Sequence, residues 1–236
     1  MTELHEPEDP ISLLRKWDAP AHLVDEVERL RDSALDASCV PSAVIHLGLA
    51  LAYSNRGRDD EAARHGKSAL AAGLTRPQAI EGLMAGVLSR GVGMLSANIW
   101  IAKEAPEGDW HDRSLVEGMD KQSILDYFRA NFGEIPRWLD MLSNASPPTV
   151  EAYYSLRSGV LRDGALSRKH KELLLVIVNA VERYEVGMKV HMQGALGAGA
   201  SREEVLEAMR AAIVAGGLVA WLAAAGTVAP ILDGLD

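Results

Sequence analysis

The chain has one cysteine, Cys39, among 236 residues. That excludes a disulfide framework, a thiolate zinc site and a dithiol redox pair within the chain. Aromatic residues make up only 5% and include two Phe, so the core has to be aliphatic and rich in alanine, which favours close helix packing. Lys and Arg form no cluster, and the formal net charge is −9. A phosphate-neutralising surface, and hence a nucleic-acid partner, is therefore not expected. The opening MTELHEPEDP is acidic and lacks an apolar stretch, so no export signal is expected and a cytoplasmic location is. His46, His65, His111, His170 and His191 are scattered without an H-x3-H or H-E-x2-H pair, so no metal site is expected. No nucleophile elbow surrounds a serine, and Cys39, beside Val40 and Pro41, reads as a small core residue.

Charge is also missing from residues 211–232, AAIVAGGLVAWLAAAGTVAPIL, a run long enough to pass a membrane-span filter. Its Ala and Gly contribute far less hydrophobicity than Leu or Ile, so a buried helix is expected and no membrane association. So apolar a helix needs cover on two faces, which points to a homo-oligomer.

What the sequence does have is helical periodicity nearly throughout. HLVDEVERLRDSAL sets Leu23, Val27, Leu30 and Ala34 on one stripe opposite the charges. No strand-like alternation persists over five residues. Thr75 with Gln78 and Ser201 with Glu204 read as capping boxes. Gly73 and Gly199 stand where the preceding helix stops in a left-handed turn. Breaks fall at 105–114 (APEGDWHDRS) and 144–149 (NASPPT), neither long enough to be a flexible interdomain linker.

Self-similarity is the most informative signal. HGKSALAAGLTRPQAIEGLMAGVLSRGV, from His65, aligns without gaps on HMQGALGAGASREEVLEAMRAAIVAGGL, from His191. The offset is 126 (191 − 65), and it also relates Leu70 to Leu196, Gly73 to Gly199, Arg76 to Arg202, Glu81 to Glu207 and Gly91 to Gly217. The expectation is an all-α bundle of two tandem copies of one helical unit, 1–104 and 105–236, packed as a single globular domain. Residues from about 105 to 168 then supply the leading helices of the second copy. In each copy a histidine-bearing helix ends at glycine and turns into a long capped helix, an αα-hairpin.

A helix over 184–198 places Tyr184, Gly187, Met188, Gly194, Ala195 and Ala198 on the face of His191. Glycine inside a helix costs up to about 1 kcal/mol relative to alanine. Two of them therefore mark either a close helix crossing or a small cavity walled by the imidazole. The matching face of the first copy reads Arg58, Glu61, Ala62, His65, Ser68, Ala69 and Ala72. There Glu61 either orients His65 and raises its pKa or pairs with Arg58 or Arg64 on the surface. A histidine with an ordinary pKa near 6.5 is a natural proton shuttle. Trp100 and Trp221 either line an interior site or pack in the core.

The stretch LSRKHKELLLVIVNAVERYEVGMKVHMQGALGAGASREEVLEAMRAAIVAGG resembles the carboxymuconolactone decarboxylase-like family, which includes the alkylhydroperoxidase D type proteins. The likeness spans about 166–226, with a weaker copy over about 40–101. It implies an all-α, alkylhydroperoxidase D-like bundle and, for a duplicated member, a trimer. The peroxidase branch of the family uses a Glu, a C-x2-C pair and a His. By position these fall on Glu172, Tyr184, Gly187 and His191, and in the first copy on His46, Arg58, Glu61 and His65. Without the thiol pair, a thiol-dependent peroxidase is disfavoured. The decarboxylase branch lacks the cysteines and carries a charged run before the His, which NRGRDDEAARHGKSAL resembles more than the second copy does.

The resemblance therefore implies a cofactor-free lyase or isomerase that moves a proton on a small carboxylated lactone or related carbonyl compound. Candidate catalytic residues are His191, His65, Glu172 and Glu61, and candidate substrate contacts are Arg58, Tyr184, Trp100 and Trp221. Arg58 would hold the substrate carboxylate. The rival reading is a non-catalytic binding or assembly protein on the same scaffold.

Overall fold

The structure, a computed structural model, describes residues 9–110 and 118–235; His111 and the end of the 105–114 break lie outside them. The described residues form thirteen α-helices and no strand. In order these are α1 (Pro10–Lys16), α2 (Ala21–Leu35), α3 (Ser42–Asn55), α4 (Asp59–Ala71), α5 (Arg76–Arg90), α6 (Gly93–Glu104), α7 (Lys121–Phe132), α8 (Arg137–Ala145), α9 (Pro147–Val160), α10 (Arg168–Val181), α11 (Glu185–Gly197), α12 (Arg202–Gly216) and α13 (Leu218–Leu232).

The helix ends follow local chemistry. The Thr75–Gln78 and Ser201–Glu204 capping boxes both form and start α5 and α12, each satisfying backbone N–H groups that the first turn leaves free. Gly73 and Gly199 have φ of 89° and 84°, the left-handed stops expected after α4 and α11. The uncharged run 211–232 is divided between α12 and α13 by Gly217, at φ 68°. No described helix is long and apolar enough to cross a membrane.

α3 and α10 occupy the centre. Leu173 to Val178 of α10 and Leu49 to Ala52 of α3 have no exposed surface, and each large aliphatic buried this way stabilises the fold by about 1.5–3 kcal/mol. The two helices approach so closely that a Cβ on Gly48 would lie 2.9 Å from Ile177 Cδ1. A smaller cluster of Ile124, Leu125, Leu139, Val150 and Tyr154 ties α7, α8 and α9 together, with Phe128 meeting Trp138 and Tyr154 edge-on.

The 126-residue spacing reappears in the helix limits. Residues 42–55, 59–71 and 76–90 of α3, α4 and α5 become 168–181, 185–197 and 202–216 in α10, α11 and α12. It reappears again in the hydrogen bonds. Glu81 on α5 accepts from the backbone N–H groups of Ala165 and Leu166, just before α10. Glu207 on α12 accepts from those of Ser38, Cys39 and Val40, just before α3. Each helix thus secures the loop that begins the other half's central helix. Burial alone would raise the Glu207 pKa, but the donors of Ser38, Val40 and Cys39 outweigh it and pull it down to about 2.

Two sequence readings need correction. Leu23, Val27 and Leu30 of α2 are exposed, and the buried residues there are Val24 and Ala34; the helix is too peripheral for its apolar stripe to reach the core. Cys39 is exposed, because its loop is held by backbone donation to Glu207 and not by packing of the thiol.

Candidate active site

α10 and α11 bring Glu172 and His191 together. Nδ1 of His191 lies 2.7 Å from Glu172 Oε2, with 1% of the Glu172 side chain exposed and 8% of His191. Carboxylate acceptance at Nδ1 fixes the proton on that nitrogen and leaves Nε2 as the basic one. The two in-helix glycines make room for polar side chains. A Cβ on Gly194 would sit 2.4–2.8 Å from the Glu172 carboxyl group. A Cβ on Gly187 would sit 2.6 Å from Asn179 Oδ1 and 2.5 Å from the Tyr184 ring. The bare face of α11 therefore accommodates Glu172 and Asn179. At the rim, Arg168 Nε is 3.7 Å from Glu172 Oε1.

The position matching Glu172 in the first half is His46, and it too meets its histidine. His46 Nδ1 and His65 Nδ1 are 2.9 Å apart, so one ring donates and the other accepts, and the accepting ring must be neutral. Burial, then the neighbouring His46 and Arg64, push the His65 pKa down to about 3. Burial also lowers that of His46. Tyr53 stacks on His65 at 5.4 Å between ring centroids and donates its hydroxyl to the Val214 carbonyl at 2.8 Å. Burial, reinforced by Glu61, raises the Tyr53 pKa to about 12. A base of such low pKa, lidded by an aromatic ring, is poorly matched to proton transfer at neutral pH.

The other candidate residues are not gathered here. Glu61 binds Arg64 at 3.1 Å and does not orient His65, whose pKa falls where a carboxylate partner would have raised it. Arg58 is exposed at the start of α4, and Tyr184, 51% exposed, precedes α11. Trp100 is half-buried against α4, its ring filling the space beside Gly66. Trp221 is half-buried at the edge of the main core. Among the described residues no group of three His, Cys, Asp or Glu side chains is placed to hold a metal.

Sequence reasoning missed the polar cluster beside Gly187. Asn179 is fully buried; its Nδ2 donates to the Leu175 carbonyl at 2.7 Å, and its Oδ1 accepts from Ser89 Oγ at 3.2 Å and Arg90 Nη2 at 3.3 Å. The signal was present as a lone asparagine inside the apolar run LLLVIVNAV. A cavity of about 360 Å³ lies elsewhere, lined in part by Glu81, Met84, Trp110, Ser155 and Lys171. At its wall Lys171, 2% exposed, meets Glu81 Oε2 at 2.8 Å, and neither imidazole lines it.

Comparison with solved structures finds the same fold over almost the whole length. A crystal structure from Burkholderia xenovorans LB400, named for a gamma-carboxymuconolactone decarboxylase subunit, is 24% identical with a TM-score of 0.60, covering 98% of this chain and 94% of that one. A second from the same organism, named for a carboxymuconolactone decarboxylase, is 29% identical with a TM-score of 0.41, covering 49% of this chain and 96% of that one. No curated protein matches the chain. The family model described as Carboxymuconolactone decarboxylase family matches residues 147–229, the span of the Glu172–His191 pair. Through that segment the chain is similar to carboxymuconolactone decarboxylase-like proteins.

Proposed function

We propose that this protein is a lyase or isomerase of the decarboxylase-like type, in which His191 moves a proton on a small carboxylated lactone or related carbonyl compound. The observation that carries this reading is the 2.7 Å bond between His191 Nδ1 and Glu172 in a space that Gly194 leaves open. In this reading Nε2 removes the proton next to a carbonyl group, and Glu172 stabilises the imidazolium that forms and fixes its orientation. The ring then returns the proton to the neighbouring carbon or oxygen, so the net change is a shifted double bond. Where the leaving group is carbon dioxide, the ring, first protonated at Nε2 by solvent, protonates the carbanion that remains. No external oxidant or reductant is required.

The first half takes the scaffold role. Its imidazoles satisfy each other, and Tyr53 covers His65. The rival reading, a non-catalytic scaffold, therefore has a specific observation behind it for the His46–His65 pair only. The chain acts as a homo-oligomer, supported by exposed Leu218, Val219 and Leu222 on α13 and Leu23, Val27 and Leu30 on α2.

The test is proton–deuteron exchange and turnover across a panel of lactones, β-keto acids and enol carboxylates. His191→Ala is expected to lower the rate about 10²–10⁴-fold, whereas His65→Ala leaves it within a few-fold. Full activity in His191→Ala removes the proton-shuttle reading.

A further inference from the structure

The Glu172–His191 pair supplies a base but no cation aimed at a substrate. Arg58, the residue that sequence reasoning offered for that task, is exposed at the start of α4. Arg90, the last residue of α5, is placed differently. It is half-buried, its Nη2 donates to Asn179 Oδ1 at 3.3 Å and its Nη1 to the Ser89 carbonyl at 3.2 Å. Its Nε is buried with no hydrogen-bond partner. Among the described residues no carboxylate forms an ion pair with it, although Glu182 and Tyr184 lie near enough to favour its charge against the burial that lowers its pKa. Oε1 of Glu182 is also buried without a partner. A half-buried guanidinium with one N–H unmet, and with its charge offset only in part by Glu182 and Tyr184, retains part of its desolvation cost. A ligand carboxylate removes that cost, and a ligand hydroxyl would satisfy Glu182.

Two observations place this cluster beside His191. Asn179 Oδ1 fills the space next to Gly187, which is four residues before His191 on the same helix face, about 5–6 Å away. In the other half, the residue 126 positions before Asn179 is Tyr53, and its ring lies on His65. Asn179 replaces that covering ring with a short amide and turns it toward Arg90. The position matching Arg90 in α12 is Gly216, so α12 brings no guanidinium to the first half's pair.

Resting on the reading of His191 as the proton shuttle, we propose that Arg90, oriented by Ser89 and Asn179, receives the carboxylate of a small hydroxy- or enol-carboxylate whose reacting carbon faces His191. The guanidinium binds the carboxylate through Nε and Nη, a two-point geometry that an ammonium does not reproduce. Glu182 accepts from the hydroxyl.

The experiment uses the full chain with 3-hydroxybutyrate, butyrate and 3-hydroxybutyramide as probes, followed by the His191 ring resonances in NMR titrations. Wild-type protein is expected to bind 3-hydroxybutyrate saturably, butyrate more weakly and the amide least, with the His191 ring shifting. Arg90→Gln is expected to weaken carboxylate binding about tenfold or more and leave the amide unchanged. Arg90→Lys, which retains charge and folding but not the two-point geometry, recovers part of the loss. No saturable binding to the wild type, or equal binding of acid and amide, overturns the subsite. So does unchanged binding and KM in Arg90→Gln. If His191→Ala keeps full turnover while Arg90→Gln still loses the carboxylate, the shuttle reading falls and the subsite stands.

Discussion

The two histidine pairs occupy equivalent places on equivalent helices, yet their surroundings differ. At His191 the partner is a carboxylate, the residue four positions earlier is glycine, and a buried asparagine leads to a cation. At His65 the partner is a second imidazole, the residue four positions earlier is Glu61, which is engaged with Arg64, and a tyrosine ring covers the site. Four positions carry the contrast: Glu172 against His46, Gly187 against Glu61, Gly194 against Ser68 and Asn179 against Tyr53. Position on the scaffold alone therefore does not decide what a histidine ring meets. At His65, burial and then the neighbouring His46 and Arg64 lower the pKa to about 3.

The contrast is most directly broken at Glu172. Glu172→Gln keeps the shape but removes the charge that stabilises the imidazolium, and turnover on a responsive substrate is expected to fall about 10²–10⁴-fold; His46→Gln should leave it within a few-fold.

The two loop-holding carboxylates form a second pair to test, this time by denaturant unfolding. Glu81→Ala is expected to cost about 4 kcal/mol, because it strands buried Lys171 as well as two backbone donors. Glu207→Ala, which strands donors only, is expected to cost about 2–3 kcal/mol. Equal losses would show that the Lys171 pair adds nothing.

Gly194→Ala sharpens the glycine argument. A methyl group 2.4–2.8 Å from the Glu172 carboxyl displaces that side chain, so the rate should fall about tenfold with little change in the unfolding midpoint. Ser68→Ala, at the equivalent place, should do neither.

A further expected effect is a pH dependence. His65 binds a proton at its ordinary pKa of 6.5 when unfolded but only near 3 when folded, so protons favour the unfolded chain. The stabilising contribution is full above pH 6.5 and is lost progressively as pH falls toward 3. His65→Gln should flatten the melting temperature over that window relative to wild type, and an unchanged slope would mean that another group dominates.

Much of this molecule was legible in its pattern. The all-α fold, both capping boxes, the glycine stops after α4 and α11, and the shared spacing of His65 and His191 follow from interactions within a few residues or from the chain's repetition. The readings that failed concern which side of an element faces what. The α2 stripe has ordinary amphipathic spacing, but nothing in that spacing says that the helix lies at the periphery. Glu61 lies at a suitable distance along the helix from His65, yet Arg64 is nearer in space. Arg90 carries no signal within its own segment, because its partner Asn179 is 89 residues away.

By itself, then, the sequence determined the helices, where they start and stop, and which histidines stand at matching positions, since short-range hydrogen bonding and periodic burial specify these. Only the tertiary structure decided that one imidazole faces a carboxylate and the other a second imidazole, and that Arg90 reaches Asn179. Such pairings depend on how α3, α5, α10 and α11 cross, and the approach of side chains across a helix crossing is set by the packing of the whole core.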